Sequence, residues 1–102
     1  MNERLARCLL LAKVLSVDGQ ITEEESEFLE VAMEAFGLDP FERDRVRTLE
    51  GWDEAAPIVA TLGQEEKRAM MDSLVAAVLV DGRVSSSEME TIEKLSTALG
   101  LH

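Results

Sequence analysis

The sequence has no tyrosine, a single tryptophan, one cysteine and one histidine. Each scarcity removes a class of chemistry. With Cys8 alone, no intramolecular disulfide can form, and a zinc site built from several cysteines is excluded. His102 is the last residue of the sequence and is expected to fray there rather than to act as a general base. No glycine-rich phosphate loop is written anywhere. The longest apolar run, Ser73 to Val80, is far too short to span a bilayer. The first residues, with Glu3, Arg4 and Arg7 in a helix-like pattern, show no signal-peptide cleavage site, so a cytoplasmic protein is the expectation.

Positive charge is scarce too. Acidic residues outnumber basic ones 21 to 10, a formal net charge of −11. That surface repels nucleic-acid phosphates and an anionic leaflet, so neither nucleic acid nor direct membrane insertion is expected. Its natural complements are cations and a protein partner with a basic patch. The acids are concentrated: Glu23, Glu24, Glu25, Glu27, Glu30 and Glu34 crowd one segment. A solvated face that keeps the domain in solution is the simplest account of them.

What is plentiful is Leu, Ala, Glu and Met, a mixture that favours helix over strand. One domain over residues 1–102 is expected, an all-α bundle of about six helices. Asn2 to Val17 carries Leu5, Cys8, Leu9, Leu11, Ala12 and Leu15 at helical spacing, and Asp18-Gly19 stops it. Thr22 caps the second helix, with Glu25 completing a capping box, and Gly37 ends it. Phe28, Leu29, Ala32, Met33, Ala35 and Phe36 are its inward residues. Asp39-Pro40 starts a third helix anchored by Phe41, Val46 and Leu49. A short helix over Glu54–Leu62 places Pro57 in its first turn, where few amides have partners. The fifth, from Gly63 or Gln64 to Val80, is apolar nearly all round, which predicts the central, most buried helix. Ser85 and Glu88 cap the sixth, with Met89, Ile92, Leu95, Leu99 and Leu101 inward.

The chain repeats itself. Leu11, Val17, Asp18, Gly19, Glu25, Glu27, Glu30, Ala35, Gly37 and Leu38 recur without gaps 63 positions later, as Leu74 through Leu101. Two units are too few for a solenoid. They imply two helix-turn-helix hairpins, about 2–38 and 65–101, related by a pseudo-twofold axis and joined by short helices within 40–62.

The doubled turn, D-G-x-[IV]-[TS]-x-x-E, has three readings. A conventional calcium loop fails, because its first and third ligands would fall on Val14 and Ser16, or on Ala77 and Leu79. Pure capping explains every position except Asp18 and Asp81, which can still accept amide hydrogen bonds in the turn. A carboxylate-lined site formed by Asp18, Glu25, Asp81 and Glu88 would hold Mg, Ca or Mn, provided the two turns approach each other.

The segments AKVLSVDGQITEEESEFLEVAMEAFGLD and AAVLVDGRVSSSEMETIEKLSTALGLH resemble the two characteristic stretches of the TerB-like family. These are relatives of tellurite-resistance protein B, and they include the N-terminal region of a membrane-anchored J-domain co-chaperone. The resemblance covers essentially the whole chain. It implies a non-enzymatic helical bundle linked to bacterial stress responses and membrane-associated complexes, and it puts the family's suggested metal-binding acids on Asp18, Glu25, Asp81 and Glu88. Two departures stand out: there is no His-Pro-Asp J-domain signature, and Val17 and Val80 stand where the family usually has Ala.

An acidic interaction module that meets a basic protein partner is therefore expected, with a divalent cation as a second ligand. The alternative is a structural or self-associating domain, a homodimer anchored by Trp52, Phe41 and Met side chains, whose turn acids are helix caps alone.

Overall fold

The computed structural model describes residues 1–16, 21–80 and 86–101, with backbone only for 78–80 and 86–88. Six helices form in these residues: α1 (Glu3–Leu15), α2 (Glu23–Ala35), α3 (Pro40–Thr48), α4 (Trp52–Val59), α5 (Gln64–Val80) and α6 (Ser86–Ala98). The all-α expectation holds.

The helix starts follow from local chemistry. Asn2 caps α1 by accepting the Leu5 amide at 2.8 Å, and its own side-chain amide donates to Glu42 on α3 at 2.7 Å. Thr22 and Glu25 form the reciprocal box at the head of α2, both bonds at 3.1 Å. Asp39 and Glu42 build a second box at α3, with Pro40 in the first turn. Ser85 and both Asp-Gly turns lie outside the described residues.

The ends of α2 and α6 match. Gly37 (φ 70°) and Gly100 (φ 76°) take the left-handed conformation, and the next leucine amide reaches back across the last turn. Leu38 N–H donates to the Met33 carbonyl at 3.1 Å, and Leu101 N–H to the Ser96 carbonyl at 2.8 Å. This is the Schellman arrangement, which glycine adopts without the Cβ clash other residues meet.

α4 begins earlier than its sequence predicts, because the Gly51 carbonyl accepts both the Glu54 and Ala55 amides at 3.0 Å. Pro57 therefore sits inside the helix, where it cannot donate to the Asp53 carbonyl.

The core order is the larger correction. α1, not α5, is central: it packs against α2, α3, α4 and α6, most extensively against α4. Leu5, Cys8, Leu9, Leu11, Ala12 and Leu15 are all buried. α5 packs chiefly on α2 and α6, and its Ala69, Ser73 and Ala76 face solvent. Three expected anchors are also exposed. Phe41 is 84 % exposed on α3, Met89 is 48 % exposed on α6, and Ala35 lies at the surface. Trp52, by contrast, packs against the core. No described helix is long and apolar enough to cross a membrane.

Candidate functional site

The head of α2 lies against the middle of α6 and leaves a shallow groove of about 240 Å³, lined by Thr22, Glu24, Glu25, Glu90, Thr91 and Lys94. Its centre is Glu25, whose side chain is only 12 % exposed. One carboxylate oxygen accepts the Thr22 amide, as the capping box requires. The other meets the Lys94 ammonium at 3.2 Å, tying residues that lie 69 positions apart. Partial desolvation works to raise this carboxyl. The Thr22 amide, the Lys94 ammonium and the Thr22 hydroxyl outweigh it and hold Glu25 below the usual carboxylate range.

Lys94 and Thr91 escape the sequence reading, though the repeat carries a signal for both. They stand where the first copy has Val31 and Phe28, so the second copy replaces two apolar positions with polar ones facing Glu25. Thr91 is buried, and Lys94 is 31 % exposed.

Of the four proposed metal ligands, Glu25 is placed in this groove. Asp18 and Asp81 and the side chain of Glu88 lie outside the described residues. Among the described residues, no three carboxylate, thiol or imidazole groups converge in a way that could hold an ion. A cation reaching Glu25 would meet an ammonium already on one oxygen and an amide on the other.

The remaining acids of α2 divide into two sets. Glu30 is neutralised by Arg47, whose guanidinium grips it at 2.6 Å while also reaching Asp44 at 2.8 Å. Glu23, Glu24, Glu27 and Glu34 stand exposed. Each of the two paired acids ties α2 to another helix, and the exposed four leave a strongly negative face.

Cys8 is fully buried, and burial, aided by the charge of Glu42, pushes its thiol up to about 12, so it stays protonated near neutral pH.

Six helices, two of them opened by capping boxes, with an acidic flank and a buried thiol, make a compact all-α protein. Its sequence narrows that class to one family: residues 4–102 match the family described as tellurite resistance protein TerB, and the chain belongs to it. No curated protein and no solved structure is significantly similar to it.

Proposed function

We propose that this TerB-family chain is a non-enzymatic interaction module, built from two like hairpins, that docks a basic protein partner through the acidic face of α2. A bacterial stress-response or membrane-associated complex is the setting that family membership favours. The observation that carries the reading is the exposure of Glu23, Glu24, Glu27 and Glu34 beside two acids already neutralised by Lys94 and Arg47. Like charges this close repel one another, and a basic partner relieves that repulsion.

The test is calorimetric titration with a lysine-rich peptide across a salt series. Glu24→Gln, Glu27→Gln and Glu34→Gln together should weaken binding roughly tenfold and flatten its salt dependence, since exposed charges are screened within about 10 Å at 0.1 M salt. Binding that is indifferent to both salt and these substitutions sinks the proposal.

A divalent cation (Mg, Ca or Mn) held by Asp18, Glu25, Asp81 and Glu88 is the second ligand of this reading. It competes with Lys94 for Glu25, so affinity should rise in Lys94→Met. Amide NMR shifts on cation titration of chelator-treated protein report it. Saturable shifts at Gly19 and Gly82 that vanish in Asp18→Asn and Asp81→Asn support the site, and their absence at millimolar cation removes it.

One observation favours the self-associating alternative: Phe41 is nearly fully exposed. Sedimentation velocity on the wild type and Phe41→Ser decides between a monomeric module and a dimer anchored there.

A further inference from the structure

A second groove of about 370 Å³ runs between α5 and α6, on the side of α6 away from Glu25 and Lys94. Met71, Val75, Ile92 and Leu101 give it an apolar floor, and Arg68, Asp72 and Ser96 line its edges.

The internal repeat shows what such a groove does in the other half of the chain. The floor residues correspond, 63 positions earlier, to Cys8, Ala12, Leu29 and Leu38, and the edge residues to Leu5, Leu9 and Met33. All seven counterparts are buried. They belong to α1 and α2 and the turn after α2, and α3 and α4 pack on α1. The first groove is thus filled by short helices of the same chain, while α5 packs chiefly on α2 and α6.

The covering element also supplies charge. Arg47 of α3 grips Glu30 on the rim of the filled groove. The counterpart of Glu30 is Glu93, which stands exposed one residue from Ile92. Arg68 and Asp72, one charge of each sign, line the opposite edge, so Glu93 is the exposed acid that this side of α6 adds beside the opening.

From the filled groove, the apolar floor and the exposed Glu93 beside it, we infer that the α5–α6 groove docks an amphipathic helix of a partner protein. Met71 belongs to the buried core beneath it, so the partner's apolar stripe lies on the half-buried Val75, Ile92 and Leu101, and a lysine or arginine meets Glu93 as Arg47 meets Glu30. This is helix-in-groove recognition, read by anchors one turn apart. It rests on the two-hairpin reading and uses a surface separate from the acidic face of α2. Asp72 and Ser96 keep the edges hydrated when the groove is open, where the filled groove has Leu9 and Met33.

The experiment titrates isotope-labelled protein at physiological salt with a helical peptide carrying a Leu/Ala stripe flanked by Lys and Arg. A scrambled peptide of the same composition is the control. Saturable shifts at Met71, Val75, Ile92 and Leu101 are expected with the striped peptide alone, with affinity reduced roughly tenfold by Ile92→Ser, the size expected for an interface anchor. Glu93→Lys, on the exposed surface, should weaken binding with the fold intact and covers the case in which Ile92→Ser unfolds. Shifts confined to α2 that the scrambled peptide reproduces overturn the inference and leave the acidic-face reading standing. No saturable shift overturns it as well. So do concentration-dependent shifts at the groove without peptide, which assign the surface to a second copy of the chain.

Discussion

Leu9→Asp should unfold the protein, while the reciprocal exchange at the matching position of the repeat, Asp72→Leu, should leave it folded. Leu9 is fully buried on α1, and Asp72 is exposed on α5. The first substitution removes a packed leucine side chain, a loss of about 3 kcal/mol, and then places a carboxylate in the core without a partner. The sum is on the order of 5 kcal/mol or more, comparable to the whole stability of a small domain. The second adds apolar surface at the mouth of an open groove and should change stability by about 0.5 kcal/mol or less. Urea unfolding followed by circular dichroism separates the two. Equal costs at both positions would mean that the two halves are covered alike.

The second large effect belongs to Glu25. Replacing it with alanine removes the return bond of the capping box and the bridge from α2 to α6 together. The cap contributes about 1 kcal/mol, and an ion pair with one partner largely buried adds a similar amount, about 2 kcal/mol in all. That corresponds to a melting temperature lower by about 10 °C for a domain of this size. Thr22→Ala should show the cap portion and Lys94→Met the bridge portion.

The pH dependence follows from the direction of the shift. The folded-state pKa of Glu25 is lowered, so its contribution is fully present above the ordinary carboxylate value and is lost as pH falls through the lowered one. The stability gap between wild type and Glu25→Ala should therefore be widest near neutrality and close below about pH 4. A gap that stays constant into acid would show that packing, not charge, is what the substitution removes.

Much of this arrangement is legible in the chain because it is local. Thr22 with Glu25, Asp39 with Pro40, and Gly37 followed by Leu38 each specify a helix boundary through groups within a few residues of one another. The apolar stripe of α1 likewise announces a buried face. The acidic turns are equally legible as sequence, and Glu25 proves to be both a cap and a link to α6.

The sequence by itself determined six helices, the capping of α2 and α3 and the repeat, because hydrogen bonds to free amides and helical spacing act over one or two turns. Tertiary structure alone decided which apolar helix is central. The continuous apolarity of α5 marks it as able to be buried, yet α3 and α4 pack on α1, so α1 takes the centre and one side of α5 stays open. Phe41 has the composition of an anchor and ends at the surface for the same reason: the short helix α3 turns Val46 inward instead. The bridge from Glu25 to Lys94 joins residues on two helices far apart in sequence, and only the packing of α2 on α6 brings that ammonium to that carboxylate.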